Sequence, residues 1–391
     1  MCALVEYLRR RTRLWAAAGL WAGLLLTAFN VYAAVVTYIP QYLVRNDFRL
    51  VYGAALVGWR DGYSHLYDLA AQKSAADSLG VYWSPYLNPP PLAWLGTAFL
   101  PVSFRGAIVL WTALIVFAAL AAAWLVAPGT GLTRWAHLAL FFGLFPTAFG
   151  LMVGQPVALV AVFVAVAWRC GERNRPIAAG LALSLTAIKP QLALLVPVCL
   201  LVAGHRKMFA AWLVATGAMV AVALVLLGPE GLQRYRDALS LASQWEPTRR
   251  YAIAGPLGLG PQVYAVEALV VGIAVVAAWR QRGGGTALPI ATGIVASLLF
   301  TPYVGFQDFA MLVVAGWLVI RAGATPVQVG LMIVGYALLE LALVVLAVPI
   351  LLAEGCLLLS MLWSRRWDSN PRPATYEAAA LPAELRRREI L

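Results

Sequence analysis

Five short motifs place polar side chains between apolar segments of the chain. They are Asn46-Asp47-Phe48, Asn88-Pro89-Pro90-Pro91, Gly154-Gln155-Pro156, Lys189-Pro190-Gln191, and Thr301-Pro302-Tyr303 leading to Asp308. A carboxylate such as that of Asp47 can take a proton from a hydroxyl group within hydrogen-bond reach. A lysine such as Lys189 can neutralise a phosphate leaving group, and the amide of Gln155 can hydrogen-bond a sugar hydroxyl. These residue types can support acid–base chemistry beside a phosphate.

Each of these residues also has a purely structural interpretation. Asn46 or Asp47 could cap a helix, and Lys189 could extend its ammonium group from a helix end towards water. Gln155 could join two helices in a tight turn, and Asp308 could cap a helix instead of orienting a substrate. Spacing alone leaves both interpretations open.

The composition decides which kind of element positions these motifs. Of the 391 residues, 62% are hydrophobic and 12% are charged, and the mean hydropathy is +0.80. Soluble domains carry about 25% charged residues, so this chain requires lipid as its solvent. Its apolar runs are continuous rather than alternating, which favours membrane helices over a membrane barrel. The expected fold is all-α, a polytopic membrane helix bundle.

The apolar segments predict about twelve transmembrane helices within a domain of residues 14–363. The predicted spans are 14–36, 106–127, 135–153, 155–168, 176–188, 190–204, 207–228, 263–280, 286–300, 306–321, 327–346 and 347–363. Several are short for a bilayer, so broken or tilted helices are expected. Residues 1–13 are predicted to form a cytoplasmic N-terminus.

The distribution of charge predicts the orientation. With the N-terminus inside, the short cytoplasmic loops carry basic residues, as the positive-inside rule requires: Arg134, Arg169, Arg173, Arg175, Arg206, Lys207, Arg280, Arg282 and Arg321. Every aspartate before residue 360 then falls on the outer side: Asp47, Asp61, Asp68, Asp77, Asp237 and Asp308. We therefore expect a multi-pass cell-membrane protein with both termini in the cytoplasm and an extracytoplasmic working face.

Two long outer segments are predicted, the first extracytoplasmic loop (37–105) and a second large loop (229–262). The stretch Phe48–Leu79 has helical spacing and predicts two juxtamembrane helices with aromatic residues at headgroup level. The apolar piece Leu92–Val102 is predicted to dip towards the membrane. The second loop is expected to cover the same face.

Several function classes lack support in the sequence. The net charge of +12 comes from scattered Arg and Lys that meet anionic lipid, so nucleic acid is not an expected partner. The four cysteines and three histidines are dispersed and form no CxxC or HExxH motif, so we expect no metal site and no cofactor. No phosphate-binding GxxxxGK[ST] motif occurs either.

The order of the five motifs, with Leu66-Tyr67-Asp68 and Tyr86 between them, resembles glycosyltransferase family 87 over residues 14–325. This family includes polyprenyl-phosphate-mannose-dependent α-1,2-mannosyltransferases. The resemblance implies a GT-C fold, an extracytoplasmic active site, a polyprenyl-phosphate sugar as donor, and a glycolipid or lipoglycan as acceptor. Mannose is the sugar that the resemblance favours.

The resemblance also implies roles for individual residues. Asp47 would be the catalytic base of a single inverting displacement, and Lys189 would bind the donor phosphate. The implied substrate-binding residues are Asn46, Asn88, Gln155, Gln191, Tyr303 and Asp308. The segment Gly305-Phe306-Gln307 departs from the His-Asp-Tyr-Asp pattern often found in the family, so acceptor contacts near Asp308 stay open.

The alternative function is a transporter or flippase of a lipid-linked or amphipathic substrate. Glu340 and Glu354 lie inside apolar runs and would serve proton coupling in that case. A transporter is expected to show internal repeats with ion-binding groups at the midplane, whereas these motifs gather at one face. An enzyme that joins glycans from a polyprenyl carrier is a further alternative and differs mainly in its donor.

The composition changes again at Arg366. The run Trp367-Asp-Ser-Asn-Pro-Arg-Pro373 resembles tails that arise when a reading frame continues through a neighbouring tRNA gene. We expect residues 364–391 to be a disordered cytoplasmic tail without a function.

Overall fold

A computed structural model describes residues 11–243, 249–341 and 347–363. The predicted tail (364–391) and residues 1–10 of the predicted N-terminus lie outside the described residues. In chain order the longer helices are α1 (Thr12–Ala33), α2 (Phe48–Arg60), α3 (Leu69–Leu79), α4 (Pro90–Thr97), α5 (Phe104–Val126), α6 (Gly131–Gly143), α7 (Phe145–Met152), α8 (Val157–Glu172), α9 (Pro176–Ser184), α10 (Val196–Val202), α11 (Arg206–Ser243), α12 (Pro261–Arg280), α13 (Ala287–Phe300), α14 (Ala310–Arg321), α15 (Pro326–Glu340) and α16 (Ala347–Ser360). No strand occurs in these ranges.

The all-α membrane bundle is confirmed, and each predicted span coincides with at least one helix. Within the described ranges, four helices are long and apolar enough to cross a bilayer: α1 with its π-helical extension to Tyr38, α5, α11 and α12. A fifth crossing is possible if α6 and α7, bent by 53°, act as one span. The other predicted spans are shorter helices, as in the broken stretch where α9 gives way to two 3₁₀ turns before α10.

Small residues let the helices approach closely, as is common in membrane bundles. A Cβ atom on Gly143 of α6 would lie 2.6 Å from the carbonyl oxygen of Gly23 in α1. The side chain of Asn30 in α1 donates a hydrogen bond to the Gly143 carbonyl at 2.7 Å. Likewise, a Cβ atom on Gly180 of α9 would collide with the carbonyl oxygen of Met208 in α11. Larger residues would force these pairs of helices apart.

The core and the periphery of the bundle differ in burial. Helices α13 and α14 are buried along almost their whole length. In contrast, α1 and α11 expose large apolar side chains, such as Trp21 (66% exposed) and Val225 (81% exposed). Because apolar side chains gain nothing from contact with water, this surface fits contact with lipid.

The first predicted outer loop contains the two helices expected in Phe48–Leu79, namely α2 and α3. Asp68 caps α3 by accepting from the backbone N–H groups of its first turn, and Gly80, with φ +65°, ends that helix. Helix α4 covers the first part of Leu92–Val102, the segment predicted to dip, and begins with two prolines, where a missing N–H costs nothing. It packs on α2 through Gly96, which lies against the carbonyl of Val51.

Within the second predicted outer segment, 229–262, residues 229–243 form a helical continuation of α11 that was not predicted. The chain turns at Gly228, whose φ of +61° favours glycine, and Pro229 then starts the second helical segment. This segment packs on the first outer loop, since Arg234 donates to the carbonyl of Ser64 at 2.9 Å. Residues 244–248 lie outside the described residues.

Candidate active site

Asp47 sits in the turn before α2. Its backbone N–H donates to the carbonyl of Val153 at 2.8 Å. The side chain of Asp47 makes no cap of α2, whereas the Oδ1 atom of Asn46 accepts from the N–H of Phe48 at 2.9 Å. Phe48 is fully buried and stacks on Trp111 at 4.7 Å, which anchors the turn. The capping interpretation therefore applies to Asn46 and leaves the Asp47 carboxylate free for other contacts.

The turn between α7 and α8 brings Gln155 to Asp47. Gly154 has φ +74°, and a Cβ atom there would collide with the side-chain amide of Asn46, so only glycine fits. The indole N–H of Trp111 donates to the Gly154 carbonyl at 2.8 Å and fixes the turn. The Nε2 atom of Gln155 then donates to the Oδ2 atom of Asp47 at 2.6 Å.

Lys189 lies between two 3₁₀ turns, Leu185–Ile188 and Pro190–Leu192, where the helix is broken. Its side chain is 5% exposed, so it does not extend into water. The Nζ atom donates to Oδ1 of Asp308 at 2.5 Å and to Oε1 of Gln155 at 3.1 Å. An ammonium group has three donors, so two are used by the described residues and one is left.

Asp308 has the capping role that the sequence allowed, and it also pairs with Lys189. Its Oδ2 atom accepts from the N–H of Gly305 at 3.0 Å and caps the 3₁₀ turn Phe306–Phe309. Its Oδ1 atom accepts from Lys189, and its side chain is only 2% exposed. Burying a charged pair is unfavourable unless additional hydrogen bonds satisfy it, and here Gly305 and Gln155 supply them.

These contacts form one continuous polar chain: Asp308, Lys189, Gln155, Asp47 and Arg49. Lysine can only donate, so the Gln155 oxygen must face Lys189 and its NH₂ group must face Asp47. Arg49 completes the chain by donating to the Oδ1 atom of Asp47 at 3.0 Å. The carboxylate of Asp47 is 32% exposed, whereas Lys189 and Asp308 are buried. Asp47 is therefore the most exposed of the charged side chains in the polar chain.

Sequence reasoning missed Arg49, although it lies two positions after Asp47. Its guanidinium also donates to the carbonyl of Arg45 at 2.6 Å and to that of Tyr82 at 2.8 Å. Arg49 thus ties Asp47 to the turn before α2 and to the segment between α3 and α4. The position of a basic residue two places after the predicted base could have indicated that Arg49 pairs with Asp47.

Gln191 and Tyr303 form a second, looser contact next to the polar chain. The Nε2 atom of Gln191 lies 3.5 Å from the Tyr303 hydroxyl, at the limit of a hydrogen bond. The hydroxyl of Thr301 lies 3.2 Å from the main-chain carbonyl of Gln191, and its shorter contact, at 2.7 Å, is with the carbonyl of Ser297. Burial, with the charge of Asp308 nearby, raises the pKa of Tyr303, so its hydroxyl remains a neutral donor.

Asn88 is connected to a group of tyrosines instead of the polar chain. Its main-chain carbonyl accepts from the Tyr67 hydroxyl at 2.8 Å. Tyr67 stacks on Tyr235 with ring centroids 4.2 Å apart and on Tyr86 at 6.1 Å. Burial raises the pKa of Tyr67 and of Tyr86, so both stay protonated. The hydrogen bond at Asn88 thus comes from its backbone, and the structure gives its side-chain amide no part in the polar chain.

A cavity of about 280 Å³ opens beside Asp47, between the end of α1 and the turn after α7. Asn46 and Val153, which flank and hold Asp47, are among its lining residues. The other lining residues are Thr37, Tyr38, Gln41, Tyr42, Arg45 and Met152. Most of these side chains are polar and can hydrogen-bond hydroxyl groups.

Outside this site, the half-buried Glu340 and the buried Glu354 differ in their surroundings. Glu340 accepts from the backbone N–H of Phe145 at 2.7 Å and so caps the start of α7. Glu354 is buried and its oxygens have no hydrogen-bond partner among the described residues. Among all the residues that the structure describes, no three His, Cys, Asp or Glu side chains are placed to hold a metal ion.

Comparison with known proteins gives one match. No curated protein and no solved structure shows significant similarity to the chain. The family model of glycosyltransferase family 87 matches residues 86–302, a range that includes Gln155 and Lys189 but not Asp47 or Asp308. This range covers more than half of the 391 residues. The protein therefore belongs to glycosyltransferase family 87 and is a membrane glycosyltransferase.

Proposed function

We propose that this glycosyltransferase moves a sugar, with mannose as the favoured choice, from a polyprenyl phosphate to a hydroxyl of a glycolipid or lipoglycan. The reaction takes place on the extracytoplasmic face and inverts the anomeric centre. The observation that supports this best is the polar chain, in which an accessible carboxylate is held by hydrogen bonds from Gln155 and Arg49.

Asp47 acts as the base. Its two oxygens each receive a hydrogen bond, one from Gln155 and one from Arg49, which fix the orientation of the carboxylate. Each carboxylate oxygen has a second lone pair, and Asp47 lies next to two residues that line the cavity, Asn46 in sequence and Val153 through a backbone hydrogen bond. An acceptor hydroxyl that enters the cavity beside Asn46 can donate to such a lone pair.

The reaction is one displacement. The acceptor oxygen forms a bond with the anomeric carbon while its proton passes to Asp47. The bond between that carbon and the phosphate oxygen breaks, and the polyprenyl phosphate leaves with the electron pair. Attack and departure on opposite sides of the carbon produce inversion.

Lys189 serves the leaving group in this proposal. Its remaining N–H can donate to an oxygen of the donor phosphate and stabilise the charge that develops there. Because Asp308 neutralises Lys189, the contribution is a directed hydrogen bond more than a long-range attraction. Lys189 also positions the base, since its bond to Gln155 determines which end of that amide faces Asp47.

The family membership favours the transferase over the transporter alternative. Of the two carboxyl groups that would serve proton coupling, Glu340 has a structural partner in Phe145. Glu354 lies in α16, outside the residues of the polar chain.

The direct experiment measures sugar transfer in membranes that contain Asp47→Asn. With radiolabelled polyprenyl-phosphate-mannose, we expect labelled glycolipid to fall by about 100-fold or more, the usual effect of losing a general base. The matched control is Asp77→Asn, because Asp77 is 61% exposed and pairs with Lys73 on the surface of α3. Near-normal transfer by the Asp47→Asn protein would remove Asp47 as the base, whatever the sugar.

A further inference from the structure

A second and larger cavity, of about 600 Å³, lies at the opposite end of the bundle. It opens where α8 ends and where α11 and α13 begin, and is lined by Glu172, His205, Arg206, Lys207, Gly284 and Gly285, among others. Helix α8 starts next to Gln155 and has 16 residues, so it separates the two ends by roughly 24 Å at 1.5 Å per residue. The cavity is therefore distinct from the polar chain.

Arg206 and Lys207 bring positive charge to this cavity without a partner among the described residues. Both side chains are exposed and make no hydrogen bond or ion pair there. Several other arginines of the predicted cytoplasmic loops donate to carbonyls at helix ends: Arg280 to Leu362, Arg282 to Val202, and Arg321 to Val126 and Ala127. Arg173 and Arg175, in contrast, resemble Arg206 and Lys207 in having no side-chain partner among the described residues. The contrast indicates that the charges of Arg206 and Lys207 are not needed to end a helix.

The wall of this cavity also contains the carboxylate of Glu172, which is engaged in hydrogen bonds with Thr286. The Oε1 atom of Glu172 accepts from the N–H and the hydroxyl of Thr286, so this group fixes the start of α13. Gly284 and Gly285 have no side chains to fill the space. Burial lowers the pKa of His205, and its buried Nε2 atom has no hydrogen-bond partner in the described chain.

We propose that this cavity binds a phosphate-bearing anion, with Arg206 and Lys207 as its cationic contacts. Lysine and arginine are the common protein ligands of phosphate groups. The anion can come from the headgroup of an acidic phospholipid or from a soluble phosphate. In the predicted topology this end faces the cytoplasmic leaflet, which carries anionic lipids. The inference does not depend on the donor or the acceptor proposed above.

Native mass spectrometry of the purified, delipidated protein tests this proposal. The probes are phosphatidylglycerol, the neutral lipid phosphatidylcholine, and inorganic phosphate. We expect selective retention of an anionic probe, weakened about 30-fold in the Arg206→Gln/Lys207→Gln protein, because each basic residue near a lipid surface contributes about fivefold. The matched control is Arg173→Gln/Arg175→Gln, which removes the same charge at the same end from residues that do not line the cavity.

Retention of phosphatidylglycerol would identify a lipid headgroup as the source, and retention of inorganic phosphate would identify a soluble one. Equal weakening in both double variants would show general surface attraction and overturn the proposal, as would equal binding of phosphatidylcholine. If thermal unfolding shows that the Arg206→Gln/Lys207→Gln protein does not fold, Lys207→Gln alone decides. We expect about fivefold weakening for that exposed residue, and no change would refute the site.

Discussion

Replacing Lys189 with methionine should destabilise the protein strongly, because it strands the carboxylate of Asp308. The two side chains are 5% and 2% exposed, and their atoms Nζ and Oδ1 are 2.5 Å apart. Removing one partner of a buried ion pair costs about 3–5 kcal/mol. The N–H of Gly305 still donates to Asp308, so we expect the lower end of that range, about 3 kcal/mol.

A second substitution separates this cause from simple loss of packing. In Lys189→Met/Asp308→Leu both charges are gone, and replacing a whole buried pair by apolar side chains is often close to neutral. The hydrogen bond from the Gly305 N–H to Asp308 is still lost in this variant, which costs about 1 kcal/mol of unfolding free energy. We therefore expect the double variant to be more stable than Lys189→Met alone.

The assay is equilibrium unfolding in mixed detergent micelles, followed by circular dichroism. Lys73→Met provides the control, because its partner Asp77 lies 3.4 Å away with both side chains more than 60% exposed. A pair of that kind contributes at most about 1 kcal/mol. The coupling between Lys189 and Asp308 would be refuted if Lys189→Met were as stable as the parent. It would also be refuted if the double variant lost as much unfolding free energy as Lys189→Met and Asp308→Leu lose together.

Two further substitutions test how the base is positioned. Gly154→Ala places a Cβ atom against Asn46 at a positive φ, so it should cost about 1–3 kcal/mol in unfolding free energy. Gly53→Ala, where a Cβ atom meets nothing within 4 Å, is its control, and equal effects would contradict the role of the turn. Gln155→Leu removes the contact that aligns Asp47, so kcat should fall about 100-fold with the KM for donor little changed. A change confined to KM would instead assign Gln155 to binding alone.

The helical fold could be predicted from the sequence, but the lengths of its helices could not. Continuous apolar runs require internally bonded helices in lipid, and each predicted span contains one. The break at Lys189 was predicted, since the spans 176–188 and 190–204 leave it between them before Pro190. Its hydrogen bonds with Gln155 and Asp308, which lie far away in the chain, could not be predicted. The helix 229–243 was missed because Gly228 and Pro229 read as loop residues, although they form a kink between two helical segments.

The candidate site was predictable where a polar residue interrupts an apolar run. Asp47, Gln155, Lys189 and Asp308 stand out for this reason, and the structure joins them by hydrogen bonds. Arg49 was not predicted, because basic residues near helix ends are common and its partners are mainly carbonyl groups. For Asn88 the contact comes from the main chain, and a main-chain contact leaves no trace in residue type.

The central claim is that Asp47 takes the proton from the acceptor beside a donor phosphate held by Lys189. It is tested most directly by a structure of the Asp47→Asn protein with polyprenyl-phosphate-mannose and an acceptor glycolipid. We expect the acceptor hydroxyl within about 2.6–3.2 Å of the residue 47 side chain and a phosphate oxygen next to Nζ of Lys189. A donor bound at the other end of the bundle, beside Arg206, would contradict the claim.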